Sequence, residues 1–528
     1  MSTDGSKRQQ FKVTYATLSA DNAELHAKLD GGIERVRAQL GRSHPLIIGG
    51  QDRATAQTTE SRNPADTEQV VSRHAAAQPD DVKDAIAAAR AAYPGWRATP
   101  WQRRCEIVAR AAELIRDELA ELTAWLILEN GKNRTEALGE IEETADLYDY
   151  YVAEMRRNDG YVVPMGQLSP ADTNTSVLRP YGVWAVVAPW NFPYALFGAP
   201  IAAALIAGNT VVGKPSSDTP MSGWLLVDIF RRAGVPAGVC NLITGSGRVA
   251  GDALVLHPDV AGVTFTGSYD VGFNRLYKRF SDRYPKPCIV EMGGKNPAIV
   301  MDSADLERAA MGVYRSAFGM GGQKCSACSR LYAHESIIDA LCARIVEHLG
   351  KTVIGDPLDR RTFLGPVGTR SSYEDFQRFA ELGRRDGRVL HGCDVLTAGA
   401  LGRGYFVAPT LVAGLPRGHA LMREELFLPY LCVQPFRTLD DALAEANDTD
   451  LGLTAGFFSA STAEIDQFLD RIEAGVTYVN RAAGATTGAW PGVQPFGGWK
   501  GSGSTGKNIG GHYTLQCYLR EQSRTITG

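Results

Sequence analysis

Residues 183–213 read VWAVVAPWNFPYALFGAPIAAALIAGNTVVG, an apolar and nearly uncharged run long enough to cross a bilayer. It does not read as one helix. Pro189, Pro193 and Pro200, with Asn191 and Asn209, cut it into short pieces, whereas a spanning segment must satisfy its backbone within a single helix. A buried strand, a turn, a buried helix and another strand account for it better. No membrane association follows.

Working outward, short apolar runs alternate with helical segments: Val183 to Ala188, Thr210 to Val212, Val239 to Leu242, Gly262 to Phe265 and Cys288 to Glu291. This alternation is the signature of a parallel sheet covered by helices. A second set follows at Ala298 to Met301, Arg330 to Ala333, Leu431 to Phe436, Ala455 to Phe458 and Gly475 to Val479, so the spacing predicts two α/β units. Upstream, Asp80 to Ala92 and Arg103 to Asn130 carry apolar residues three and four apart and predict amphipathic helices separated by Pro94-Gly95. Residues before about Pro45 are polar, with a helical stretch around Ala20 to Leu40. At the other end, Tyr513 to Glu521 reads as an edge strand.

At 528 residues the chain is too long for one ordinary core. Hydrophobic residues make up 44% and charged residues 22%, ordinary globular usage. A formal charge of -4 supplies no basic field for nucleic acid or an anionic membrane. The 9 cysteines are mostly scattered singly through apolar stretches, which argues against a disulfide framework and fits a reducing cytoplasm. Met1 to Lys12 is polar and gives a secretory signal no support.

Cys325 lies in Gly-Gly-Gln-Lys-Cys-Ser-Ala-Cys-Ser-Arg (321–330). A lone cysteine is more often a small core residue. Here Gly319 to Lys324 offers little side-chain bulk, and Lys324 adds a positive charge that would favour an ionised thiol. Glu291, at the end of an apolar strand and just ahead of Gly293-Gly294, should project a carboxylate into a cleft. A thiol can attack an aldehyde carbon, and a carboxylate can activate the water that hydrolyses the resulting thioester. Asn191, between Trp190 and Phe192, is either a structural amide or a donor to developing negative charge. Cys325 and Cys328 also have the Cys-x-x-Cys spacing of a redox pair or half a zinc site, but no second pair and no histidine spacing completes a metal site.

Two glycine motifs do not survive their context. Gly501-Ser-Gly-Ser-Thr-Gly506 satisfies G-x-G-x-x-G, yet neither a strand before it nor a helix after it is expected, and Asn508 stands where a phosphate loop needs Ser or Thr. Phe265-Thr266-Gly267-Ser268 is the better phosphate site: an apolar strand ends in a small-residue turn ahead of a helix.

The Cys325 and Glu291 segments, with Pro-Trp-Asn-Phe-Pro (189–193) and Phe-Thr-Gly-Ser (265–268), resemble the NAD(P)-dependent aldehyde dehydrogenase superfamily from about Pro45 onward. The resemblance implies an aldehyde dehydrogenase-like α/β fold: two Rossmann-like domains with a small oligomerisation hairpin and C-terminal strand. It divides the chain into an N-terminal helical extension (1–44), an NAD(P)-binding domain (45–159 and 184–291), oligomerisation elements (160–183 and 508–528) and a catalytic domain (292–507). A homodimer or homotetramer is implied.

By the same resemblance Cys325 is the nucleophile, Glu291 the general base for deacylation and Asn191 the oxyanion donor. Lys214, Gly267, Ser268, Glu425, Phe427 and Trp190 fall at cofactor-binding positions. The resemblance implies NAD as the cofactor; Ser217 stands where NAD-preferring members often carry a Glu that repels a 2'-phosphate, and the absence of that Glu leaves NADP open. Leu428-Pro429 replaces the usual Gly-Pro.

Gln323 to Arg330, Thr487-Gly-Ala489, Gln494 to Gly498 and Glu140 to Tyr151 are similar to blocks of 1-pyrroline-5-carboxylate dehydrogenases, which oxidise glutamate semialdehyde to glutamate. The likeness implies that Ser326 and the N–H groups of Gly488 and Ala489 hold the substrate carboxylate, with Phe496, Phe192 and Glu143 lining its chain. The alternatives are another aliphatic or aromatic aldehyde, walled by Trp490 and Trp499, and an inactive scaffold of the same fold. Coenzyme A-dependent acylating relatives typically lack the Glu291 equivalent, and 528 residues leave no space for a flavin barrel of about 250 residues.

Overall fold

The computed structural model describes residues 22–482 and 489–528. The run at 183–213 forms the strand Val183–Val187, the helix Ala195–Ala207 and the strand Thr210–Lys214. Among the described residues no helix is long and apolar enough to cross a membrane. The two strands pair in parallel within a seven-stranded sheet ordered Cys288–Glu291, Val260–Thr266, Val183–Val187, Thr210–Lys214, Cys240–Leu242, Leu46–Ile48 and Gln51–Arg53. Its last two strands run antiparallel. Because side chains alternate across a strand, Trp184 and Val186 enter one core while Val183 and Ala185 enter another on the opposite face.

A second seven-stranded sheet is ordered Arg388–His391, Thr410–Ala413, Tyr430–Phe436, Cys328–His334, Asn296–Val300, Thr454–Phe458 and Val476–Val479. All its pairs are parallel except the first. Ile299 and Tyr332 face one core, and Ala298, Val300, Leu331 and Ala333 the other. Two doubly covered α/β sheets are therefore present, as the sequence pattern predicts.

Three local expectations change. The helix expected to end at Pro94-Gly95 runs Pro79–Ala98. Proline costs it a hydrogen bond, but the turn beyond is anchored by buried Trp96, whose indole N–H donates to the Leu205 carbonyl at 3.1 Å. The chain breaks instead at Thr99, extended ahead of Pro100. The stretch read as one helix to Asn130 is two, Trp101–Asp117 and Leu119–Asn130, bent at Glu118, which Arg232 holds from another helix. The C-terminal strand is Leu519–Thr527 and starts later than Tyr513, because Leu515–Tyr518 forms a tight turn that buries Leu515 and Tyr518.

That strand pairs antiparallel with Asp172–Pro180, which pairs with Val162–Pro164, in a separate three-stranded sheet. Before the first sheet, the helix Ala23–Arg37 buries Leu29, Ile33 and Val36 in the same core as Ile127 and Trp184. Asp30 on that helix pairs with Arg134 at 2.7 Å.

Candidate active site

Four neighbouring parallel strands of the first sheet deliver polar groups at their carboxyl ends. Asn191 follows Val183–Val187, Lys214 ends Thr210–Lys214, Gly267 and Ser268 follow Val260–Thr266, and Glu291 ends Cys288–Glu291. The chain passes from the central strand to one side and then crosses to the other, and in such sheets the carboxyl ends at that crossing form the ligand crevice. The second sheet meets this crevice with the entry ends of its strands. Cys325 precedes Cys328–His334, and Glu425 to Phe427 precede Tyr430–Phe436.

Cys325 is half-buried at the end of a turn in which Met320, Gly321 and Gly322 take positive φ of 50°, 62° and 66°. Glycine is required at 322, where a Cβ would stand 2.1 Å from the Leu428 carbonyl oxygen. The Asn296 side chain fixes the following loop, donating to the carbonyls of Cys325 at 2.6 Å and Ala327 at 2.9 Å. Burial, with Glu425 and Glu291 as charged neighbours, pushes the Cys325 thiol up to about 12, against hydrogen bonds from the N–H groups of Ser326 and Cys325 itself. Lys324 therefore does not make the thiol acidic as expected. Its ammonium is turned to Glu136, both groups packing over Gly319.

Glu291 is 5% exposed, and burial pushes its carboxyl up to about 8 although the Gly498 N–H donates to it at 3.3 Å. Asn191 is also buried, and its amide donates to the Gln323 carbonyl at 3.1 Å, two residues before Cys325. An amide NH2 has two donors, so a second remains beside the thiol's own turn. The predicted trio is brought to one place.

The Lys214 ammonium is buried, bonds the neighbouring Pro215 carbonyl at 3.1 Å, and is lowered by burial to about 8. Ser217 is exposed and donates to the Gly245 carbonyl at 3.2 Å. The Ser268 hydroxyl accepts from the Val271 N–H at 3.4 Å at the start of a helical turn. Glu425 accepts from the Gly294 N–H at 3.0 Å, and burial pushes its carboxyl up to about 7. Phe427 takes a positive φ of 56° and sets its ring edge-on to Trp190 at 5.7 Å between centroids. A cation, a hydroxyl at a helix start, a buried carboxyl and two aromatic rings around bare glycine backbone suit a dinucleotide.

Next to the thiol, Ser326 is half-buried with its carbonyl held by Thr454; Phe192, the residue after Asn191, lies under the Lys132 ammonium at 3.6 Å from its centroid. Phe496 pairs with Ile509 two residues ahead of Gly498. Ala489 is half-buried, whereas Gly488 falls outside the described residues. Glu143 acts on Lys132 more weakly than Glu140 and Glu136 do. Trp490 is buried and donates to Asp146 at 2.7 Å, and Trp499 is half exposed in a short surface pairing with Gly452.

The rejected glycine motif lies flat along the Glu291 strand. Met292 N–H donates to Ser502 O at 2.8 Å and Ser504 N–H to Val290 O at 3.1 Å, and no helix follows. Cys328 is packed among Ala298, Ala317 and Leu331, and its thiol faces the Arg330 carbonyl. Among the described residues no group of three or more His, Cys, Asp or Glu is placed to hold a metal ion.

The sequence model described as the aldehyde dehydrogenase family matches residues 51–523. The chain belongs to the aldehyde dehydrogenase family. It is 38% identical over 501 residues to a 1-pyrroline-5-carboxylate dehydrogenase of Geobacillus thermodenitrificans, covering 94% of this chain and 95% of that one. A crystal structure of 1-pyrroline-5-carboxylate dehydrogenase from Thermus with bound NAD superposes with a TM-score of 0.91 at 34% identity, covering 96% and 97% of the two chains. Proline utilization A from Bdellovibrio bacteriovorus superposes with a TM-score of 0.91 at 33% identity over 95% of this chain and 52% of that longer one.

Residues that this aldehyde dehydrogenase needs for its site shape were not all visible in sequence. Asn296 lies two residues past Gly293-Gly294, where its link to the Cys325 loop carries no pattern of its own. Gln323 holds Asn191 through its carbonyl and accepts from the Gly368 N–H through its side chain at 2.7 Å.

Proposed function

We propose that this aldehyde dehydrogenase oxidises glutamate semialdehyde, the open form of 1-pyrroline-5-carboxylate, to glutamate in proline catabolism. The observation that carries the reaction type is Cys325 set among Glu291, Glu425 and the Asn191–Gln323 contact. The relatives supply the substrate, since those at 37–38% identity are 1-pyrroline-5-carboxylate dehydrogenases along nearly their whole length.

The Cys325 thiol gives up its proton to solvent as its sulfur attacks the aldehyde carbon, and the Asn191 amide and the Cys325 N–H hold the oxyanion of the thiohemiacetal. NAD bound at this site would supply the acceptor for the hydride that leaves the thiohemiacetal carbon. Glu291 then takes a proton from water, which attacks the thioester and releases the acid. Lys214, Ser217, Gly267, Ser268, Glu425, Phe427 and Trp190 form the cofactor site, with NADP open because Ser217 carries no charge. Ser326 and the N–H groups of Gly488 and Ala489 hold the substrate carboxylate, and Phe192, Phe496 and Glu143 border its chain.

The domain division at 45, 160, 184, 292 and 508 accompanies this reading. A homodimer or homotetramer would form through the three-stranded sheet, where Val162, Val163 and Ile526 are exposed. A cytoplasmic setting agrees with all 9 cysteines being free.

Steady-state NADH and NADPH formation with pyrroline-5-carboxylate, an aliphatic aldehyde series and an aromatic aldehyde tests the substrate. The reading stands if pyrroline-5-carboxylate leads in kcat/KM by orders of magnitude. It falls if an uncharged aldehyde leads.

A further inference from the structure

The segment that carries Asn191 is gripped by residues 130–140. The Asn130 side chain donates to the Trp190 carbonyl at 2.7 Å. Lys132 stands 3.6 Å over the Phe192 ring centroid. Glu140 accepts from the N–H groups of Tyr194 at 2.8 Å and Ala195 at 3.3 Å through one carboxylate oxygen, and pairs with Lys132 through the other. Asn191 is the residue between the first two grips, and its own amide donates to the Gln323 carbonyl.

The side chains of Lys132 and Glu140 are both 0% exposed. Two charges taken fully out of water gain little net stability over an apolar pair of the same volume. An apolar pair could not, however, hold a ring face by cation–π attraction or accept the two N–H groups that open the helix Ala195–Ala207. Both of those contacts fall on the Asn191 segment.

We propose that the Lys132–Glu140 ion pair is a positioning device that sets the Asn191 amide at the height of the reacting oxygen. This rests on Asn191 being the oxyanion donor. Neither Lys132 nor Glu140 touches the reacting atoms; they act through Phe192, Tyr194 and Ala195, and a small displacement of Asn191 costs transition-state stabilisation without changing cofactor affinity.

The test is a double-mutant cycle read as the single-turnover rate of NADH formation by the full chain with pyrroline-5-carboxylate. Lys132→Met leaves the Glu140 charge buried and unpaired and is apt to fold poorly, so Lys132→Met/Glu140→Gln is made as well, removing both charges while keeping a side-chain acceptor for Tyr194. The pair of substitutions should slow NADH formation by about tenfold to a hundredfold in the Asn191 background, with the dissociation constant for NAD unchanged. In an Asn191→Ala background the same pair should cost less than about twofold. Equal fold losses in both backgrounds, an unchanged rate with Asn191 present, or a loss confined to NAD affinity overturns the proposal. If Asn191→Ala alone keeps the full rate, the oxyanion reading fails and the proposal falls with it. A slowed Asn191→Ala enzyme with multiplicative losses defeats the positioning role alone.

Discussion

The Gly498 N–H donates to Oε2 of Glu291 at 3.3 Å, and on the other oxygen a Cβ placed on Gly503 would come within 3.2 Å. The loop carrying both glycines therefore closes over the carboxyl and keeps it dry, which is why burial outweighs the one donated hydrogen bond and pushes the group up to about 8.

The deprotonated form is the base, so hydrolysis of the thioester should rise with pH through the region of 8 and fall about tenfold per pH unit below it. Rapid-quench or stopped-flow separation of the NADH burst from steady turnover checks this. Glu291→Gln should keep a burst of about one NADH per site and lose steady turnover by about a thousandfold. A burst that vanishes along with turnover would move Glu291 to the acylation step.

A Cβ at Gly293 would stand 1.9 Å from Oε2 of Glu425. Gly293 has no positive φ, so alanine strains no backbone, and the flexible end of the glutamate has to give way. Gly293→Ala should raise KM for NAD by about tenfold while the melting temperature stays within a few degrees. Loss of folding instead would show that Glu425 cannot move.

The two sheets were legible because their strands are buried on both faces and so appear as short unbroken apolar runs between helical stretches. The trio Cys325, Glu291 and Asn191 was legible because each sits in a compact local pattern. What sequence could not supply is direction. Lys324 is adjacent to Cys325 in the chain, yet its ammonium packs with Glu136 over Gly319 and leaves the thiol's proton in place. Nothing in the sequence links Lys132 to Glu140 or to Phe192, 60 residues on, until the ring is found under the ammonium. Pro94 reads as a helix end by local rules, and the tertiary anchor at Trp96 overrides it.

Ser217 is exposed just beyond the strand that ends in Lys214, and its hydroxyl donates to the Gly245 carbonyl at 3.2 Å. A carboxylate introduced there would repel a 2'-phosphate and accept from ribose hydroxyls. Ser217→Glu should lower kcat/KM with NADP by about tenfold or more and leave NAD within about twofold. Steady-state kinetics with both cofactors measures the ratio, and an unchanged ratio would place the adenosine ribose elsewhere.

His44 and His74 stack at 5.1 Å between ring centroids, and Trp224 packs against His44. Burial lowers His44 to about 4, with Arg42 adding to the effect, and lowers His74 to about 3, with His44 adding to it. Both rings are therefore neutral in the folded protein at neutral pH, and folding favours the neutral form. The unfolded chain takes up protons near the ordinary value of about 6.5, so stability is fully present above that pH and is lost as pH falls from there to about 4 for His44 and about 3 for His74. The loss is on the order of a few kcal/mol for the pair. Urea unfolding midpoints between pH 7.5 and 4.5 should fall accordingly. His44→Phe, which keeps a ring against His74 and Trp224 but cannot take up a proton, should flatten part of that acid limb. An unchanged slope in the variant would assign the acid sensitivity to other groups.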